Sequence, residues 1–134
     1  MAIALLVAAC GSAPATPETH ALTGTFLLSN GARPDDRDTG GCSGTGGYSD
    51  IGVGTNVVVR DATDTIIGTA PLTMDPNGPE PVASGNYQCG YAFTVSDLPD
   101  SAFYTVEVSH RGALTYSRAD LESKTWRVSL NLGE

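Results

Sequence analysis

YQCGYAFTVS, residues 87 to 96, decides the fold. Tyr87, Cys89, Tyr91, Phe93 and Val95 fall on one parity, and Gln88, Gly90, Ala92, Thr94 and Ser96 on the other. A period of two places successive side chains on opposite faces of a strand, so this segment reads as a half-buried strand with its aromatics turned inward. The same period runs through Tyr104, Val106, Val108 and His110, and through Trp126, Val128, Leu130 and Leu132. His110 therefore takes a core-facing parity at the end of its strand.

Outward from these three segments the pattern stays β-like. Thr23 to Ser29, TGTFLLS, reads as a first strand, and Asn30 to Asp38, NGARPDDRD, as a turn-rich loop. Thr55 to Arg60, TNVVVR, is β-branched and suits a buried strand. Asp61 to Asp64 reads as a hairpin turn, with TIIGTAPL returning, and Met74 to Val82, with three prolines and an Asn-Gly, as a loop tip. One short helical turn fits SRADLES, capped by Ser117 with Asp120 three residues on and Leu121 packing inward. About seven short strands with Gly/Pro turns predict an all-β fold, a single antiparallel β-sandwich.

The chain has 134 residues, 40% of them apolar, which suits one globular domain with one modest core. Fifteen acids against seven bases give a formal charge of −8, a surface that repels nucleic acid and anionic membrane faces. Six of the seven bases are arginines, so no lysine cluster is present to hold phosphate.

Ala2 to Ala9 are all apolar, too short a run to span a bilayer, which takes about 20 residues. The run matches the apolar core of a secretory signal. Val7-Ala8-Ala9-Cys10, followed by Gly11 and Ser12, resembles a bacterial lipobox. That resemblance implies cleavage before Cys10 and a diacylglyceryl group on its sulfur. A basic residue ahead of the apolar run is missing, as an annotated start codon placed too far downstream would explain. Residues 10–21 then form a lipidated tether, extended and proline-bearing, with His20 in solvent, and residues 22–134 form the sandwich. With Cys10 lipidated, Cys42 and Cys89 remain as an even pair able to bridge in an oxidising compartment. Such a loop would contribute roughly 4 kcal/mol through chain entropy.

VVVRDATDTIIG and YAFTVSDLPDSAFYTVEVSHRG resemble the transthyretin-like or carboxypeptidase-regulatory sandwich over roughly residues 55 to 112. CSGTGGYSDI and FYTVEVSHRG are similar to segments of small exported lipoproteins of high-GC Gram-positive bacteria, an uncharacterised family. These likenesses imply a location and a fold, and no activity. SGNYQC, residues 84 to 89, also resembles an immunoglobulin tyrosine corner at Tyr87, but no tryptophan lies between Cys42 and Cys89 as an immunoglobulin-like core would need.

GGCSGTGGYSDIGVG, residues 40 to 54, holds seven of the sixteen glycines and invites a catalytic reading. Each such reading fails at one residue. A phosphate loop needs a lysine, and the chain's one lysine is Lys124. A dinucleotide loop from Gly44 meets Ser49 where glycine is required, and a nucleophile elbow at Ser43 meets Thr45. Ser43, His110 and Glu107 supply the residue types of a triad without an elbow to present the serine. Asp35, Asp36, Asp38 and Asp50 border the loop and offer carboxylates of the kind calcium takes. The spacing departs from an EF-hand: Gly40 stands where a third acid is needed and no glutamate closes the loop. No zinc spacing of cysteines or histidines occurs. The sequence thus predicts no catalytic residues, no metal and no cofactor. It predicts a lipid-anchored binding or interaction module on the outer face of the cell membrane, with an envelope protein, glycan or lipid as partner. The alternatives are an accessory or structural subunit of an envelope assembly and, further off, a hydrolase. Arg33–Asp38 with the glycine loop, and Tyr116 to Ser123, are its candidate contact surfaces.

Overall fold

The computed structural model describes residues 11, 17–34, 41–75, 80–81 and 87–133. The expected lipid attachment at Cys10 and the acids Asp35, Asp36 and Asp38 lie outside them. In chain order the elements are β1 (Thr19–Pro34), β2 (Cys42–Gly44), a short 3-10 turn (Gly46–Tyr48), β3 (Asn56–Arg60), β4 (Ile66–Pro71), β5 (Thr73–Met74), β6 (Glu80–Pro81), β7 (Tyr87–Pro99), β8 (Phe103–Val108), β9 (Arg111–Ser117), α1 (Arg118–Ser123) and β10 (Arg127–Leu132).

Two sheets pack face to face, as an all-β sandwich requires. One runs β10-β1-β7-β5, with β2 on the end of β1 and β6 on β7; the other runs β4-β3-β8-β9. Seven of the ten described strands have five or more residues; β2, β5 and β6 are pieces of two or three. The parity read from the sequence places the core. Cys89, Tyr91, Phe93 and Val95 are buried, as are Tyr104, Val106 and Val108, and they meet Leu22, Phe26 and Leu28 of β1 and Val57 and Val59 of β3. Two glycines let the layers close. A Cβ on Gly24 would lie 2.1 Å from the Phe93 ring, and one on Gly68 2.6 Å from Val95 and Leu98.

One pair departs from an antiparallel arrangement. β10 runs parallel to β1, with Thr23 opposite Arg127 and Leu28 opposite Leu132. The cause is the route of the chain: β9 ends on one sheet, α1 crosses to the other, and β10 starts at the same end of the sandwich as β1. On the opposite flank the chain changes sheets between β4 and β5 through Leu72, fully buried, whose N–H donates to the Thr55 carbonyl at 2.8 Å.

β1 is longer at both ends than the first strand expected at Thr23 to Ser29. It starts at Thr19, inside the segment read as tether, and pairs from there with the end of β7. His20 is therefore not in solvent. Its side chain is 9% exposed, stacked on Trp126 with ring centroids 4.0 Å apart and planes 9° from parallel. At its other end β1 bends at Gly31, whose φ of +72° favours glycine, and its last residues pair with β2.

Candidate functional site

The described residues of the two surfaces suggested by the sequence lie at opposite ends of the sandwich; Asp35 to Asp38 are outside the described residues. Arg33, next to last in β1, lies beside β2 and the glycine loop, whereas α1 sits where β1 and β10 begin. They do not form one surface. The α1 end is an organised cap. Ser117 accepts from the Asp120 N–H at 3.1 Å, and Leu121 is buried beneath the helix, as expected. Tyr116 is half-buried with the Lys124 ammonium 5.2 Å from its ring centroid, and burial raises its phenol pKa. Asp100, from the β7–β8 turn, takes Arg118 and the His20 Nε2 at 3.2 Å, which lower its pKa in that order of weight.

The glycine-loop end is built around Asp50. Arg111, first residue of β9, aims Nε at Asp50 Oδ2 at 2.8 Å and Nη2 at Oδ1 at 2.5 Å, a bidentate fork. Nη2 also donates to the Gly47 carbonyl, and Ser109 Oγ donates to Asp50 Oδ2 at 2.7 Å. The Tyr48 ring lies 5.4 Å from the guanidinium and against Gly31, where a Cβ would fall 2.5 Å from the ring. The Arg111 hydrogen bonds, the largest effect, hold the Asp50 carboxyl well below the usual carboxylate range; burial opposes them, and the Ser109 hydrogen bond adds a lesser lowering. Asp50 is thus occupied by a guanidinium, which removes it from the calcium reading. Among the described residues no three acids, histidines or cysteines gather to hold a metal.

The loop is fixed on its other side by the disulfide of Cys42 and Cys89, whose Cα atoms are 6.1 Å apart, inside the usual range. The Tyr91 hydroxyl donates to the Cys42 carbonyl at 2.7 Å in the core. Within the loop, a Cβ on Gly44 would lie 1.9 Å from the Tyr48 carbonyl oxygen. The loop is therefore a shelf held to both sheets, through Cys42 to β7 and through Asp50 to Arg111 of β9.

His110 departs from its expected parity. Ser109 and His110 carry φ of 49° and 60°, the left-handed pair of a two-residue hairpin turn, so the alternation of β8 stops before them. His110 is 93% exposed, with Nδ1 3.3 Å from Glu107 Oε1. Glu107 is shared with Arg60 at 2.7 Å on the outer face of the β4-β3-β8-β9 sheet. Ser43 sits half-buried on β2, across the strand pair from Arg33. A histidine standing in water with its carboxylate committed to an arginine is not arranged as the base of a triad.

Sequence reasoning missed three groupings. Arg111 was not attached to the loop, although it is the base that follows the strand FYTVEV. The corner hydroxyl belongs to Tyr104 and not to Tyr87: it accepts from the Ser101 N–H at 2.8 Å and donates to the Pro99 carbonyl at 2.9 Å. The His20–Trp126 stack joins residues too far apart in the chain for any local pattern to announce it. No protein-family model matches the chain, and neither a curated protein nor a solved structure matches it.

Proposed function

We propose that the chain is a lipid-anchored binding module of the cell envelope, exported and held on the outer face of the membrane through Cys10. One observation carries the reading. Cys42 and Cys89 pair with each other, so the odd cysteine is the one at the end of the apolar run, in the lipobox-like Val7-Ala8-Ala9-Cys10. A buried bridge also fits an oxidising compartment better than a reducing one.

The architecture supports binding as the work done. β1 starts at the α1 end and extends 16 residues, about 50 Å of strand, toward the glycine loop. A tether joined to β1 turns the α1 end toward the membrane and the glycine-loop end away from it. The outward end then presents the shelf built on Tyr48, Asp50 and Arg111, with His110 at its margin, to an envelope protein or glycan.

Metabolic labelling with a fatty-acid analogue tests the anchor. Label is expected on the wild type and absent from Cys10→Ser; an unlabelled wild type, or label retained in the variant, overturns it. Binding of purified envelope fractions to the full chain tests the module. Binding is expected to fall when Tyr48 and His110 are both changed to alanine, and unchanged binding removes the glycine-loop end as the contact surface.

A further inference from the structure

On the side away from β1, β7 is covered for only part of its length. β5 covers it as far as the Thr73/Ala92 pair, where the chain arrives from the other sheet through Leu72. Two hydrogen bonds fix which backbone groups face that side. Thr23 N–H donates to the Trp126 carbonyl, away from β7, and Asp75 N–H donates to the Gly90 carbonyl from the β5 side. The β1–β7 register runs unbroken from Leu22/Val95 to Leu28/Cys89, so strand parity carries from Gly90 through Ala92 to Thr94. The N–H and C=O of Thr94 therefore point away from β1, past the end of β5. The residue in line to meet them is Pro71, which has no N–H and is paired instead with Asn56.

A depression of about 290 Å³ opens at this point, and its polar residues are Thr23, Thr73 and Thr94. Thr23 and Thr94 stand directly opposite each other, a non-hydrogen-bonded pair whose side chains lie close together. Elsewhere on the same outer face the hydroxyls are taken: Thr25 donates to Ser129, and Ser29 to Asn131. Among the described residues the Thr23 and Thr94 hydroxyls have no such partner. Thr73 Oγ1 donates to the Ala92 carbonyl at 3.0 Å and keeps its lone pairs. Ala70, Pro71 and Ala92 supply C–H surface, while Phe93 lies beneath, 2% exposed, and offers no ring face. Among the described residues no charged side chain lines the depression, on a chain of net charge −8.

The geometry points to a binding site for an uncharged sugar ring. Such a ring has C–H faces and a rim of hydroxyls that both donate and accept. The depression answers each part: alanine and proline C–H surface for a face, and threonine hydroxyls with the Thr94 N–H and C=O for the rim. Its volume suits one ring, at the lower end of small-molecule sites. A charged ligand would give up water with no counter-charge to meet it. A peptide strand fits poorly. In line with β5 it is stopped by the Pro71–Leu72 corner, and beyond Thr94 β4 is drawn over β7, with Gly68 against Val95 and Leu98. Without an aromatic platform the ring is held by hydrogen bonds exchanged against water, so affinity is millimolar and gains from repeats along a glycan. The site lies on the β5 flank, apart from the glycine-loop end, and stands whether or not Cys10 carries lipid.

The test uses the full chain in a Cys10→Ser background, titrated with glucose, mannose and galactose while backbone amide NMR shifts are followed. Saturable shifts are expected at Thr73, Ala92 and Thr94 for at least one sugar. None is expected at Thr105 and Thr115, which carry hydroxyls on the outer face of the other sheet. Glucuronate and glucosamine, the glucose ring with a charge, are expected to bind at least about tenfold more weakly. Thr23→Val with Thr94→Val removes both free hydroxyls from exposed strand positions and keeps their shape; the double variant is expected to lose at least about tenfold in affinity. Thr94→Val alone stands as the test if the double variant does not fold. Thr25→Val, whose hydroxyl is held by Ser129, is expected to lose nothing. Tighter binding of trisaccharides of the same sugars assigns the site to a glycan chain, and equal binding to the free sugar. No saturable shift at these amides with any neutral sugar overturns the proposal. So does an equal loss in Thr25→Val, binding untouched by the valine variants, or charged sugars bound as tightly as neutral ones. Shifts at Thr94 with acetyl-tetrathreonine amide and with no sugar give the edge to a strand and overturn it too.

Discussion

The Tyr91 hydroxyl and the Cys42 carbonyl meet at 2.7 Å in the core, two residues along β7 from Cys89, to which Cys42 is bonded. One covalent link and one hydrogen bond thus hold the same residue to the same strand. Their effects are coupled. Tyr91→Phe leaves a buried carbonyl without its donor and is expected to cost about 1–2 kcal/mol. Reduction of the bridge is expected to cost roughly 4 kcal/mol. Doing both should cost less than the sum, because once β2 is released its carbonyl finds water. Denaturant unfolding of the oxidised and reduced forms of both proteins measures the cycle; strict additivity would show that the two contacts act independently.

Asp50 gives the glycine-loop end an acid limit. Its folded carboxyl is more acidic than that of an unfolded chain, near 3.9, so it stabilises the fold fully above about pH 5. That contribution is lost as pH falls through the lowered folded value. Asp61 and Asp100 are shifted the same way, Asp61 by the Thr63 hydroxyl first and Asp100 by Arg118 first. Asp50→Asn is therefore expected to lower Tm at pH 7 and to narrow its gap to wild type as pH drops below 4. A gap that stays constant or widens in acid would show that the Asp50–Arg111 fork does not hold the loop.

The glycines of the loop separate into two kinds, which substitution should expose. Gly44→Ala drives a methyl against the Tyr48 carbonyl, backbone that has no rotamer to escape to, and is expected to cost at least about 1–3 kcal/mol. Gly47 has open space where a Cβ would stand, so Gly47→Ala is expected to be neutral or to stabilise by about 0.4–1 kcal/mol through the unfolded chain. Thermal melts of the two variants decide it, and equal losses would mean that the loop is not packed as described.

The legible parts of this fold are those where one face is dry and the other wet. β7, β8 and β10 announce themselves through Tyr91, Tyr104 and Leu130 because burial on one side forces a period of two. β9 was invisible, since Arg111 to Ser117 lies at an edge and buries little on either face. Periodicity also misplaced His110, because parity carries on past the residue where the hairpin reverses the chain. The site was legible only in its covalent part: cysteine parity pairs Cys42 with Cys89, whereas the partner of Asp50 is 61 residues away and no local pattern announces it.

The same holds for His20, and it yields the last prediction. A polar pair, Thr19-His20, reads as tether, yet His20 covers one face of Trp126, whose edge-on neighbour is Tyr104 at 5.2 Å. Trp126 is the one tryptophan of the chain, so tryptophan emission reports on the surroundings of this ring, the His20 face among them. His20→Ala uncovers the indole and is expected to red-shift the emission and to cost about 1 kcal/mol, the scale of an aromatic pair. Removing residues 1–17 should do neither, since β1 begins at Thr19. If the truncation shifts the emission as much as His20→Ala does, the strand takes its hold further upstream. If His20→Ala shifts nothing, the stack contributes nothing to docking the start of β1.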